Sequence, residues 1–267
     1  MAETTLGTGR DAETGAGFSP RFRMLRAMTA SEWRLLLREP SSFFFTLVFP
    51  ILLLLVFGGV FGNDPADGFD GVGPMDRQVP AYLILIIGTL AIFTIPIQLV
   101  TYRETGVLRR LRATPVRAWM LFAAQLLVGV AVTAAGTLLM VLVGRLLFDF
   151  AMPARPAAVA ACLLVGVVAF GAGGFLLAAL CRTARQASLI ANVLYFPQLF
   201  LSGASFPREL FPGWLRTASE WFPMSQLVIQ LQTLWEGGGW RPVSLLYLGV
   251  LFFVGMTVSV RLFRWER

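Results

Sequence analysis

Residues Val79–Thr101 read VPAYLILIIGTLAIFTIPIQLVT, and the chain continues at once as YRETGVLRRLRATPVRAW, Tyr102–Trp119. The first stretch carries no charge over a length that, as a helix rising about 1.5 Å per residue, crosses a hydrocarbon layer about 30 Å thick. The second holds Arg103, Arg109, Arg110, Arg112 and Arg117. An apolar rod that ends abruptly in arginines is the pattern of a membrane span meeting an aqueous face. Five further uncharged stretches repeat it: Phe43–Phe61, Ala118–Gly144, Ala157–Cys181, Gln186–Phe206 and Val243–Val260. The expected fold class is an all-α integral membrane protein with six transmembrane helices. The third stretch is longer than a span needs and so tilts or ends early. The fifth, with Asn192, Pro197 and Gln198, is the least lipid-like.

Composition agrees. Of 267 residues, 57% are hydrophobic and only 14% charged, with a mean hydropathy of +0.72. Soluble domains hold about 45–50% apolar and about 25% charged residues. Six spans leave no loop large enough for a soluble domain. The net charge of +7 would suit nucleic acid, but the arginines flank apolar runs and form no surface stripe. Membrane lipid and topology account for them, so nucleic acid is not an expected partner.

All basic residues are arginine, and histidine is absent. A phosphate-binding P-loop requires lysine, so the chain cannot carry one. Histidine-based acid–base catalysis and histidine zinc sites are excluded as well. No catalytic residue and no metal ligand is expected; the spacing of Asp64, Asp67, Asp70 and Asp76 is that of a flexible acidic loop. Cys162 and Cys181 fall at opposite ends of one helix, about 28 Å apart, beyond disulfide reach.

Residues 1–20 read as a disordered tail ahead of a single membrane domain over 21–267. No apolar segment precedes Phe43, so a cleavable signal peptide is not expected. With the N-terminus inside, the inner segments hold sixteen arginines: Arg10, Arg21, Arg23, Arg26, Arg34, Arg38, Arg103, Arg109, Arg110, Arg112, Arg117, Arg182, Arg185, Arg261, Arg264 and Arg267. The outer segments hold six: Arg77, Arg145, Arg155, Arg208, Arg216 and Arg241. That bias places both termini in the cytoplasm.

Ahead of the first span, Phe22, Leu25, Met28, Trp33, Leu36 and Leu37 share one side of a helical projection. Arg23, Arg34 and Arg38 lie opposite, with Arg26 and Glu32 as imperfections. The pattern predicts an amphipathic helix in the membrane interface, broken at Pro40 before the chain enters the bilayer. Small residues in the third and fourth spans, Gly129, Gly136, Gly166 and Gly173 among them, predict close helix packing.

Two loops stand out as carriers of function. In Tyr102–Trp119, Val107, Leu108 and Leu111 share a helical side opposite Arg109, Arg110 and Arg112, and Pro115 ends the helix. A short helix across the mouth of two spans can take a push from a soluble partner, although a basic loop that only enforces topology has the same pattern. In the outer stretch SGASFPRELFPGWLRTASEWFP, Ser202–Pro223, three prolines punctuate an apolar surface that includes Trp214, Leu215 and Trp221. Half-inserted helices re-entering the outer leaflet are expected there, forming an outer gate; an aromatic interface belt is the simpler reading.

Both segments resemble those of type-2 ABC exporter permeases, and most nearly the daunorubicin-resistance permease branch. The similarity runs from about Phe22 to the C-terminus. It implies a six-span half-transporter in the bacterial plasma membrane that pairs as a homodimer, or as a heterodimer with a related permease. It also implies two separate ABC ATPase subunits at the cytoplasmic face, which hold the ATP and Mg; no cofactor is expected on this chain. By position, Arg103, Glu104, Thr105, Gly106, Val107, Leu108, Arg109, Arg110, Leu111, Arg112, Ala113, Thr114 and Pro115 match the family's coupling helix. Phe22–Arg38 matches its interfacial gate helix. Phe206, Pro207, Pro212, Trp214, Leu215 and Pro223 match its outer signature. The acidic loop Gly62–Gln78 has no matching counterpart.

The implied activity is export by alternating access, driven by the partner's ATP hydrolysis, of a drug, antibiotic or lipid. A polysaccharide or lipid-linked glycan permease of the same family and an ion-coupled carrier are the alternatives. Carriers usually hold an ionisable group at mid-membrane, and none falls inside the six stretches. Gln98, Asn192 and Gln198 are the candidates for a substrate path; with Gln125 and Thr133 they read equally well as interhelical hydrogen-bonding groups.

Overall fold

The computed structural model describes residues 20–65, 73–112 and 118–262. Most of the expected N-terminal tail, Asp67, Asp70 and the segment 113–117 with Pro115 therefore lie outside the described residues. What is described is all helical, without strands. In chain order the helices are α1 (Pro20–Arg38), α2 (Pro40–Phe61), α3 (Pro74–Glu104), α4 (Val107–Arg112), α5 (Ala118–Phe148), α6 (Pro156–Leu180), α7 (Ala184–Leu201), α8 (Gly213–Ser219), α9 (Pro223–Trp235) and α10 (Pro242–Leu262).

Five of these are long and apolar enough to cross a membrane: α2, α3, α5, α6 and α10. Helix α7 exists where the fifth stretch was expected, but its 18 residues include Arg185, Gln186, Asn192 and Gln198, and it is not among the five. It also stops at Leu201, short of Phe206. Gly203 explains the stop, because its φ of +90° supplies the left-handed turn that ends a helix. A β-carbon there would meet the Arg208 side chain.

Two spans contain a widened π-helical turn, Phe44–Val48 in α2 and Leu90–Thr94 in α3. Each lies two residues ahead of a proline, Pro50 and Pro96. A proline in a helix lacks the N–H that the preceding turn needs and its ring crowds that turn's carbonyl. Widening the turn lets the helix run on without a break.

Helix α3 forms the centre. Every residue from Gln78 to Ile92 is buried, which explains why the sequence there is apolar on all sides. It packs against α2, α5, α6, α7 and α9. The closest helix pair is α6 with α10, where Gly255 lies against the backbone of Ala172. Gly174 of α6 meets the Ala91 carbonyl of α3 in the same manner. The expectation of small-residue packing holds, with Gly174 and Gly255 as its tightest points.

At the end away from α4 the loops are laced by side chains. Asn63 Oδ1 accepts from the Met75 and Asp76 amides at 3.0 and 3.2 Å, and Asp76 accepts from the Ala151 amide at 2.7 Å. Trp235 donates to the Ala151 carbonyl at 3.0 Å. Asp76, read from sequence as part of a loose acidic loop, is a tie between chain segments.

Gly255→Ala should lower the stability of the detergent-solubilised protein by about 1–3 kcal/mol through overpacking. Gly249→Ala, on the same helix with nothing within 4 Å of the added carbon, should leave it unchanged or slightly raised. Thermal unfolding of the two variants checks this, and equal losses would refute the packing role.

Candidate functional site

At the end of α3 the chain turns through Thr105 and Gly106 into α4. Thr105 Oγ1 donates to the Thr101 carbonyl at 2.8 Å, and Gly106 takes φ +71° with no neighbour within 4 Å of a potential β-carbon. The glycine is there for its backbone conformation alone. Leu108 is 1% exposed and belongs to the main core, while Glu104, Arg109 and Arg110 point outward. That is the two-sided pattern expected from the sequence. The side chains of Leu111 and Arg112 lie outside the described residues. Arg103 donates to the carbonyls of Cys181 and Ala178, which are otherwise orphaned at the C-terminal end of α6. The guanidinium therefore pins the base of the α3–α4 turn to α6.

Helix α1 lies along α5. Leu36 is buried among Ile86, Leu90, Val128 and Val132, with Trp33 packed on the same cluster. Met28 packs on the main core and Leu25 is half-buried, whereas Leu37 is exposed. The side chain of Phe22 lies outside the described residues. The larger correction concerns Glu32. Read as an imperfection in the amphipathic pattern, it is 6% exposed and sits on the packed side of α1. Its carboxylate accepts from Gln98 Nε2 at 2.7 Å and from the Tyr102 hydroxyl at 2.9 Å. Gln98 also donates to the Tyr102 oxygen at 2.7 Å. Gln125, from α5, approaches the same carboxylate without reaching hydrogen-bond geometry. Burial pushes the Glu32 carboxyl above its ordinary 4.5, and the hydrogen bonds from Tyr102 and Gln98 draw it part of the way back.

Above this cluster a cavity of about 430 Å³ opens between α2, α3 and α7. Phe45 and Phe49 line one wall, Phe93 and Gln98 a second, Asn192 and Tyr195 a third. Its surface is mainly apolar and aromatic, with a few hydrogen-bonding groups, the usual make-up of a small-molecule site. Asn192 donates to the Ser188 carbonyl of its own helix at 2.7 Å, which leaves its amide oxygen as an acceptor. Thr89 and Tyr195 share a hydrogen bond at 2.9 Å on the far wall. Gln98 and Asn192 thus line one cavity. Gln198 does not line it. That side chain borders a separate 210 Å³ space between α3, α6, α7 and α10, donating to the Leu194 carbonyl at 3.2 Å.

The segment after α7 departs most from expectation. Phe206 stacks on Phe200 at 6.4 Å and meets Phe57 edge-on at 6.5 Å. Pro207 is buried, Pro212 and Trp214 are exposed, and Leu215 is half-buried. The deeply packed element starts at Pro223, where the expected segment ended. In α9 every residue from Met224 to Leu231 is buried. Two of them are glutamines one turn apart. Gln226 donates to the Glu220 carbonyl at 2.6 Å and accepts from Ser244 at 2.9 Å. Gln230 accepts from the Arg241 amide at 2.8 Å. They close the orphaned backbone groups at the ends of α8 and α10, so α9 stays buried without stranded polar atoms. Glutamines recurring at helical spacing within MSQLVIQLQTLW were the available signal.

Residues 23–234 match the sequence profile of the ABC-2 type transporter family. The chain belongs to that family. The match runs from α1 through nearly all of α9, and so takes in the α4 turn, the Glu32 cluster and the cavity. No individual curated protein gives a significant match. As a membrane domain of an ABC transporter, the chain is a multi-pass transport subunit.

A raised carboxyl pKa means that folding favours the protonated form of Glu32. The stability this gives is complete below about pH 4.5 and is lost as pH rises through the raised value. Glu32→Gln keeps an acceptor for Tyr102 and cannot ionise. It should flatten the unfolding temperature against pH and raise it by about 2–4 °C above neutrality. A pH profile parallel to that of the parent would refute the assignment.

Proposed function

We propose that the chain is the permease half of an ABC exporter, moved by separate ATPase subunits that dock on α4 at the cytoplasmic face. The observation that supports it best is the continuity of α3. One helix carries Gln98 at the cavity wall, Tyr102 in the Glu32 cluster, and Arg103 and Glu104 at the turn into α4. From Gln98 to Glu104 is about 9 Å of rigid rise. Leu108 anchors α4 in the core while Glu104, Arg109 and Arg110 face outward, so a docked partner grips polar groups on a helix that cannot slide independently. A push there travels along α3 to the π turn Leu90–Thr94, which carries cavity residue Phe93. Widened turns of this kind are the compliant points of a helix.

In this reading α7 is the fifth of six spans and borders the cavity instead of lying wholly in lipid, which accounts for Asn192 and Gln198. Both termini are cytoplasmic, by the arginine bias, and the membrane is the bacterial plasma membrane. Helix α1 serves as the interfacial gate helix. The segment Phe206–Pro223, with Trp214 at the outer interface, and the re-entrant α9 close the exit. Val193 and Phe196 of α7 are exposed and face a second permease copy, identical or related. The substrate enters from the cytoplasm or inner leaflet and is hydrophobic with aromatic character, a drug or antibiotic as in the daunorubicin-resistance branch, or a lipid. The walls of Phe45, Phe49, Phe93 and Phe196 favour those classes over a polysaccharide.

One observation favours a second reading. Glu32, protonatable and hydrogen-bonded to a cavity residue, is the group that an ion-coupled carrier would use. Transport that survives ATP depletion but collapses with an uncoupler would select that carrier.

Replacing Glu104 and Leu108 together by alanine, in permease copurified with its ATPase, should lower ATP-driven transport at least about tenfold. Ligand binding at the cavity should be kept. Charge reversal at the exposed pair, Glu104→Arg with Arg109→Glu, should do the same without touching the core. Unchanged transport in both variants would refute the coupling role.

A further inference from the structure

A further cavity lies at neither the α3–α7 wall nor the far end. It has a volume of about 780 Å³ and lies beside the α3–α4 turn, between the C-terminal ends of α6 and α10. Five arginines line it, Arg103, Arg109, Arg110, Arg182 and Arg261, against a single carboxylate, Glu104. Arg103 is engaged by α6 carbonyls. Among the described residues the guanidiniums of the other four make no ion pair. Among the described residues the C-terminal end of α6 contributes about half a negative charge, too little to balance them. Like charges from three separate chain segments face one space, an arrangement that is favourable when an anion occupies it.

A second feature indicates what the anion is attached to. The residues Leu180, Cys181 and Arg182 also form the edge of a neighbouring groove of about 380 Å³, which continues over Leu189 and Ile190 of α7. Leu180 and Leu189 are 59% and 60% exposed. The basic pocket and the apolar groove thus share Leu180, Cys181 and Arg182 as a common edge. Inorganic phosphate would fill the pocket and leave the groove uncovered. A molecule with a phosphate at one end and hydrocarbon at the other fills both.

We propose that this composite site binds an anionic glycerophospholipid, its phosphate between Arg182 and Arg261 and an acyl chain along Leu180, Leu189 and Ile190. The site goes beyond the transport reading and does not depend on it, since head-group recognition needs only the arginines and the adjoining groove. Arginine suits the role because its planar fork bonds phosphate oxygens in pairs. A lipid bound there joins the ends of α6 and α10 beside the α3–α4 turn.

The test uses the full chain without its ATPase, reconstituted in nanodiscs of equal parts phosphatidylglycerol and phosphatidylcholine with matched chains, then extracted for native mass spectrometry. The parent should retain phosphatidylglycerol over phosphatidylcholine by about tenfold. Arg182→Gln with Arg261→Gln, both exposed positions, should abolish the preference with no change in unfolding temperature. Arg155→Gln, remote in the chain and outside the cavity lining, should keep it. Leu189→Gln with Ile190→Gln should reduce retention while the arginines remain. Equal retention of the two lipids by the parent overturns the proposal, as does an undiminished preference in the double arginine variant. Complete displacement by millimolar inorganic phosphate overturns the lipid assignment in favour of a free phosphate. None of these outcomes bears on whether α4 couples to an ATPase.

Discussion

Hydrocarbon offers no partner to a backbone N–H or C=O, and that constraint shapes this chain more than any single contact. It demands helices wherever the chain passes through lipid, and it makes each interruption depend on a local remedy. The π turns ahead of Pro50 and Pro96 are two such remedies. The left-handed Gly203 that ends α7 is a third, and Gln78 donates to its carbonyl at 2.6 Å. In α9, Gln226 and Gln230 serve the backbone of neighbouring chain ends. Buried α9 is admissible because its glutamines find partners in the backbone of neighbouring chain ends and in Ser244, and α3 supplies a wall against which α9 packs.

The Glu32 cluster follows from the same economy of polar groups. A carboxylate removed from water is costly unless hydrogen bonds replace the lost hydration. Two donors come from one face of α3, Gln98 and Tyr102, four residues apart and therefore one helical turn from each other. Helix α1 is thereby keyed to a single register on α3, while its apolar contacts with α5 through Trp33 and Leu36 would tolerate small slides. Register by a polar group and adhesion by apolar surface are separate tasks, assigned here to different residues of one helix.

The spans were legible because their signal is collective. About twenty apolar residues bounded by arginines cannot easily mean anything else, and α2, α3, α5, α6 and α10 lie where the pattern put them. The two-sided character of α4 was legible for the same reason, since Leu108 and the flanking Arg109 and Arg110 alternate with helical period. What escaped was every feature fixed by a partner distant in sequence. Glu32 looks like a defect until Gln98 and Tyr102, some seventy positions on, are brought beside it. Asp76 looks like one of several loop acids until Ala151 meets it. Gln198 and Asn192 are indistinguishable as mid-span polar residues in one helix, yet six positions apart they face different spaces. The buried outer element lies after the expected segment, because the prolines and tryptophans of Phe206–Pro223 advertise an interface, whereas the burial of α9 depends on glutamines whose partners lie in other loops.

Clamping at two heights defines how α3 can respond to force. At the far end Gln78 holds the turn after α7, and near the base Gln98 and Tyr102 hold α1 while Arg103 holds α6. Between the first and second clamps lies the widened turn Leu90–Thr94, and the cavity opens there. A rod fixed at its ends and loosened between them does not translate as a whole when its base is displaced. It bends at the loose turn, and the wall carrying Phe93 moves relative to Asn192 and Tyr195 on α7. Helix α7, shorter and more polar than the other spans and packed mainly on α3, is the element with least to hold it against that motion. The polarity that makes α7 a poor membrane helix by composition suits a helix that borders a cavity.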